Sequence, residues 1–187
     1  DVFADEPLYI NVIAAQPADI VLSLLLDGQP IVNQQNTAPA GTAEFINNPV
    51  LQGDGLYEIR VSVNGGGAAD YAIGVYTDPE TPIGFPGIIA FGTPRSAVQM
   101  PANAYHYWFF QGTAGQNISI MLRPSAANDV AVFLIDPSGE EIDYIDDGFE
   151  GEEELLEATL PATGLYAIGV EEYNGIAVTY DLTLSSN

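Results

Sequence analysis

The chain has 187 residues, 47% of them hydrophobic, which is enough to bury a core in one large domain or two small sandwiches. Three arginines, no lysine and 26 acids give a formal charge of -23, so phosphate backbones and anionic lipid surfaces are repelled and nucleic acid is excluded as a partner. There is no cysteine, hence no disulfide, thiolate metal site or thiol nucleophile, and no apolar run approaches the roughly 20 residues that a membrane helix needs.

In chain order, apolar residues recur with period two and almost nowhere with helical period. Leu8, Ile10 and Val12 open the series, followed by "ADIVLSLLLDG", "GLYEIRVSV" and "DYAIGVY". The stretch "TDPETPIGFP" carries three prolines and reads as a short, stiff connection. Beyond it come "HYWFFQG", "NISIML", "VAVFLID", "GLYAIGV" and "TYDLTLS", each bounded by Gly, Pro, Asn or Asp. "DPSG" at Asp136 to Gly139 is a turn, and "YNG" at Tyr173 to Gly175 supplies the positive φ of a tight hairpin. The expected fold is all-β, and the short, closely spaced strands suit antiparallel sandwiches of jelly-roll or immunoglobulin-like type.

The strands also repeat. Leu8, Ile10 and Val12 match Ile118, Ile120 and Leu122; Asp19 and Asp27 match Asp129 and Asp136; Gly55-Leu56-Tyr57 matches Gly164-Leu165-Tyr166; Tyr71 matches Tyr180. Four blocks in one order, with the offset drifting by a residue, indicate two copies of one sandwich. Residues 1–77 form the first, 78–86 the Pro-rich linker and 87–187 the second. Each Gly-x-Tyr is the corner device of sandwich proteins, in which the tyrosine hydroxyl bonds back to upstream backbone.

The run "HYWFFQGTAGQNISIML", then "NDVAVFLIDPSGEEI", an acidic loop, "LPATGLYAIGV" and a closing "TYDLTLS" resembles the bacterial pre-peptidase C-terminal domain. The second copy resembles it throughout, the first only from about Leu8 to Tyr76 and more loosely. The resemblance implies small β-sandwich modules of secreted bacterial enzymes and surface proteins, with a non-catalytic role in substrate attachment, maturation or surface assembly. The first copy departs from it: "DVFADEP" stands where the strand "HYWFFQG" should be, so its opening strand is missing. Either an upstream strand belongs to a longer chain, or a neighbouring molecule adds one by edge pairing, which would make the module a building block for fibres. The start at Asp1 rather than Met points to a mature product or a piece of something longer.

Three groups of residues are candidates for function. The resemblance places Tyr107 and Phe109 inward and leaves His106, Trp108 and Phe110 on the other face, where the other copy, the "IGFPGIIAF" segment, a partner protein or a polysaccharide covers them. The acids Asp143, Asp146, Asp147, Glu150 and Glu154 lie in a loop where like charges repel unless solvated or bridged, and Ca2+ is the natural counter-ion. Its spacing resembles an EF-hand loop, but Ile145 occupies a ligand position and the flanks are strands. The first copy has a single acid in the equivalent "NQQNTAPAGTAE". No catalytic residue is assigned, because the one histidine lies within an aromatic strand and no nucleophile, metalloprotease or phosphate-loop motif occurs. The reading is a secreted, non-enzymatic subunit of a bacterial cell-surface fibre or sheath, a homo-oligomer or polymer completed by strand donation. The alternatives are a targeting module of a secreted hydrolase and an enzyme with a carboxylate site.

Overall fold

The computed structural model describes residues 6–125 and 128–186, and among them every regular element is a strand. The chain divides into two units, Asp1–Pro79 and Glu80–Asn187.

The first unit contains β1 (Tyr9–Ala14), β2 (Ile20–Leu26), β3 (Gln29–Gln35), β4 (Glu44–Asn47), β5 (Tyr57–Val63) and β6 (Tyr71–Tyr76). They form two antiparallel sheets, ordered β4-β1-β6 and β3-β2-β5. Alternation decides which side chains meet between them: Ile10, Val12 and Ala14 from β1, Ile20, Leu22 and Leu24 from β2, and Ile46 from β4. The β2–β3 hairpin turns on Asp27-Gly28, both at positive φ (51° and 74°), the geometry whose twist suits a two-residue hairpin loop and which Asp and Gly tolerate.

The second unit contains β7 (Ile83–Ile88), β8 (Arg95–Met100), β9 (Tyr105–Gly112), β10 (Asn117–Pro124), β11 (Val130–Ile135), β12 (Glu141–Ile145), β13 (Glu154–Thr159), β14 (Gly164–Glu172) and β15 (Val178–Ser186). Its sheets run β13-β10-β15-β8 and β12-β11-β14-β9-β7. Strands β10 to β15 repeat β1 to β6 in order and pairing: β10 lies between β13 and β15 as β1 lies between β4 and β6, and β11 between β12 and β14 as β2 between β3 and β5. The tandem all-β sandwich expected from the sequence is therefore the fold.

Two features differ from the sequence reading. The stretch assigned to the linker contributes β7, which pairs with β9 in parallel rather than antiparallel fashion. Its register breaks between Gly84 and Gly87, so Pro86 falls at an irregularity of an edge strand, where a missing N–H costs no ladder bond. Prolines alone therefore gave the wrong reading of this stretch.

The paired tyrosine corners are present in both units. The Tyr57 hydroxyl donates to the Gly53 carbonyl at 2.7 Å and accepts from the Gln52 N–H at 3.2 Å. The Tyr166 hydroxyl donates to the Ala162 carbonyl at 2.8 Å and accepts from the Ala162 N–H at 3.0 Å.

Candidate functional site

The repeat exposes the site by comparison. Among the described residues the first unit has no counterpart of β7, β8 or β9, so β5 and β6 each carry a strand on one side only. Measured against the second unit, the described residues of the first have one strand fewer beside β6 and two fewer beyond β5. On β6, Val75, Ile73 and Tyr71 stand directly opposite Ile10, Val12 and Ala14 of β1, so they share the core-facing side. Yet Tyr71, Ile73 and Val75 are 49%, 44% and 50% exposed. Their counterparts in the second unit, Tyr180, Leu182 and Leu184, face Pro124, Leu122 and Ile120 in the same register and are each 0% exposed. Across the mouth, Tyr57, Ile59 and Val61 of β5 are only half-buried, whereas Tyr166, Ile168 and Val170 of β14 are fully buried. Half-burial forgoes about 1 kcal/mol per large apolar side chain, so the three β6 residues alone leave about 3 kcal/mol unrealised. That is a large share of a small domain's net stability.

In the second unit this mouth is closed by β8 and β9. His106, Trp108 and Phe110 of β9 pair with Val170, Ile168 and Tyr166 and turn inward with them. This corrects their expected placement on an outer, partner-binding face. The Trp108 Nε1–H donates to the Tyr180 hydroxyl at 2.8 Å, and the His106 Nδ1 lies 2.9 Å from the same oxygen. Trp108 can only donate, so the tyrosine keeps its own proton to give, and a neutral His106 whose Nδ1 accepts it satisfies all three groups. Burial pushes the His106 pKa down to about 4. Arg95 lies over the Trp108 ring, 5.4 Å from its centre, and its Nη2 donates to the Ile88 carbonyl at 2.6 Å. Tyr107 and Phe109 face the other way and are covered by Phe85 of β7, whose ring centre lies 4.8 Å from that of Phe109 and 6.2 Å from that of Tyr107. The "IGFPGIIAF" segment thus covers both faces of this strand: Phe85 covers the outer one, and on the face expected from the sequence Phe91 lies edge-on to Phe110 at 5.6 Å and Ile89 joins the core of Trp108 and Phe110.

The acidic loop is not a convergent cage: among the described residues no three His, Asp or Glu side chains come together in a way that could hold a metal ion. Glu154, buried to 2% exposure, turns its carboxylate onto the loop, accepting from the Gly148 N–H at 2.8 Å and the Asp147 N–H at 3.1 Å. Glu44, the single acid of the matching first-unit segment, does the same. Exposed by 1%, it accepts from the N–H groups of Thr37 and Ala38, each at 2.9 Å, and from the Thr37 hydroxyl at 2.9 Å. Both residues open their strands and face the equivalent partners Val12 and Leu122. In the sequence this repeated clamp is masked by the density of acids around Glu154, and its one signal is that an acid recurs at the start of the equivalent strand. Removing either carboxylate leaves two part-buried N–H groups without their acceptor, so Glu44→Ala and Glu154→Ala should each cost about 2 kcal/mol, measured by urea denaturation.

The other loop acids lie apart. Asp143 is on β12, Glu150 is exposed, and Asp136 accepts from the Ser138 hydroxyl and N–H in its turn, which lowers its pKa. Asp146 is raised above the usual carboxylate range by desolvation and by the charges of Asp129, Glu171 and Asp147. Asp129 Oδ1 is buried with no hydrogen-bond partner among the described residues. Glu171 accepts from the Tyr144 hydroxyl at 2.9 Å.

Residues 104–172 match the model of the bacterial pre-peptidase C-terminal domain. The match begins just before β9 and ends with β14, so the resemblance read from the sequence stands over that span of the second unit. No curated protein sequence matches the chain. Among solved structures, the chain is similar to PliG of Aeromonas hydrophila, a periplasmic inhibitor of g-type lysozyme, at 17% identity and a TM-score of 0.48 over 57% of this chain and 99% of that one. It is similar to the pre-peptidase C-terminal domain of collagenase from Bacillus anthracis at 15% identity and 0.40, over 56% and 94%. A third is CorA, a surface-associated copper-binding protein of Methylomicrobium album BG8, at 10% identity and 0.42, over 57% and 100%.

Proposed function

We propose that this chain, whose second unit carries a pre-peptidase C-terminal segment, is a non-catalytic extracellular assembly module: a repeated β-sandwich subunit of a bacterial surface fibre or sheath. Its first unit is completed by strands from a neighbouring polypeptide. The observation that carries this reading is the pair of triplets in one register, Tyr71, Ile73 and Val75 exposed against Tyr180, Leu182 and Leu184 sealed. An unpaired strand edge beside uncovered apolar side chains is what strand addition uses: main-chain bonds give affinity and the alternate side chains give fit. The lone histidine is neutral, buried and engaged by Tyr180, which leaves it no role as a general base.

Electron microscopy and size-exclusion chromatography of native material test the reading. Regular polymers that dissolve on Ile73→Asp are expected, and native material that stays monomeric and folded at all concentrations overturns it. The match of residues 104–172 also favours a second reading, an accessory module of a secreted enzyme, for which the upstream reading frame would encode a catalytic domain. Calcium, in this proposal, is a loosely associated counter-ion of the loop acids Asp143, Asp146, Asp147 and Glu150, while the Glu154 carboxylate is engaged by the loop's own N–H groups. Calcium titrations followed by calorimetry should weaken with Asp146→Asn and persist in folded Glu154→Gln.

A further inference from the structure

Resting on the reading that the first unit takes guest strands, we infer that the guest is a two-strand arch, amphipathic and basic at its rim, supplied by polypeptide outside residues 1–187, that pairs with β5 and β6 at once. The second unit supplies the template. There β9 runs antiparallel to β14 and β8 antiparallel to β15, joined across the sandwich by the four residues Pro101 to Ala104. The joint lies at the β14–β15 loop, where the Asn103 N–H donates to the Gly175 carbonyl. Because β5 and β6 repeat β14 and β15 in register, the guest's arch crosses beside Gly65 to Gly67. One of its strands lies antiparallel to β5 and the other antiparallel to β6. A single strand would cover one sheet edge and leave the other triplet in water.

Register specifies the side chains. Opposite Tyr57, Ile59 and Val61 the template places Phe110, Trp108 and His106, so three alternating large residues face inward. Tyr71 is the counterpart of Tyr180, whose hydroxyl receives the Trp108 Nε1–H, so an indole or imidazole at the middle or arch-side inward position of the guest reaches a phenol already in place.

The outward positions differ from the template. Where β14 presents Ala167 and Gly169, β5 presents Glu58 and Arg60, an exposed ion pair at 2.7 Å. The outward face of the guest is therefore polar, unlike that of β9. Asp54 and Glu58 on one edge and Asp70 and Asp78 on the other outnumber Arg60, which calls for lysine or arginine at the guest's outward and flanking positions.

The probe is a synthetic peptide with the sequence Arg95 to Gly112 carrying Tyr107→Thr and Phe109→Lys, added to the full chain and followed by hydrogen exchange of backbone amides. Slowing of exchange by roughly tenfold or more on both β5 and β6, reversed by Ile59→Asp or Ile73→Asp in the chain, is the expected result. The separate halves, Arg95 to Met100 and Tyr105 to Gly112, should protect far less. Protection confined to one of the two strands, or equal protection by a half-peptide, overturns the arch even where native material polymerises. Protection of both strands in a chain whose native material is monomeric upholds the arch and sinks the fibre. If native oligomers instead form with loss of protection at β14 and β15, the occupant is the β8–β9 arch of a second copy, and a separate donor is excluded.

Discussion

Leu182→Ala should destabilise the second unit by about 3 to 5 kcal/mol, whereas Ile73→Ala at the equivalent place should cost the first unit only about 1. Both residues stand opposite a core residue of the neighbouring strand, Leu122 for Leu182 and Val12 for Ile73. They differ in cover. Leu182 is flanked in its sheet by β8 and belongs to the same buried cluster as Trp108 and Phe110 of β9, so truncation removes buried surface and leaves a cavity that the sealed core cannot collapse into. Ile73 already meets water on nearly half its surface, and a smaller residue there creates no cavity. The two units can be read separately: Trp108 is the only tryptophan, so its fluorescence in urea follows the second unit alone, while amide exchange on β1 follows the first. Equal losses at the two positions would mean that β6 is covered in the isolated chain, and the open seam would be disproved. The converse also follows. When guest strands are bound, Ile73→Ala should acquire the penalty that Leu182→Ala carries alone.

Much of this was legible in the sequence where one physical requirement has one residue solution. The tyrosine corners could be read because Gly-Leu-Tyr before an alternating run has few other uses, and both hydroxyls return to backbone four residues upstream. The correspondence of β1 to β6 with β10 to β15 could be read because the matching blocks recur in one order. What failed shares a cause. In "YHYWFF" every position is apolar or aromatic, so alternation gives the period but no polar phase to say which face is wet, and His106, Trp108 and Phe110 were placed outward when they line the core. Strand β7 was hidden by three prolines that read as linker, since nothing local shows that Pro86 falls at a bulged sheet edge. Glu44 and Glu154 were obscured by the acids around Glu154. Only burial distinguishes a carboxylate serving backbone N–H groups from its solvated neighbours, and burial is set by the packing of both sheets.

Acid should loosen the second unit in a window set by one residue. The unfolded chain protonates His106 near pH 6.5, whereas in the fold burial lowers that pKa to about 4. The folded state therefore resists the proton that the unfolded state takes up. The stabilisation is complete above pH 6.5 and is lost as the pH falls toward 4, by about 2 kcal/mol at pH 5 and about 3 at pH 4. Protonation also breaks the local arrangement: Nδ1 becomes a donor, and the Tyr180 oxygen, already taking the Trp108 Nε1–H, loses the acceptor for its own proton. Because burial holds the Tyr180 hydroxyl above its ordinary range, that proton cannot leave as the alternative. Two effects act in the opposite direction. Protonation of the 26 acids relieves repulsion, and Asp146, raised in the fold, takes up its proton with a gain in stability as the pH falls. Both effects are shared by the native sequence and His106→Gln, so the difference between the two isolates the chain's single histidine. Urea midpoints of Trp108 fluorescence should fall between pH 6.5 and about 5 in the native sequence relative to His106→Gln, whose amide oxygen can accept from Tyr180 without titrating. An equal fall in His106→Gln would assign the acid sensitivity elsewhere.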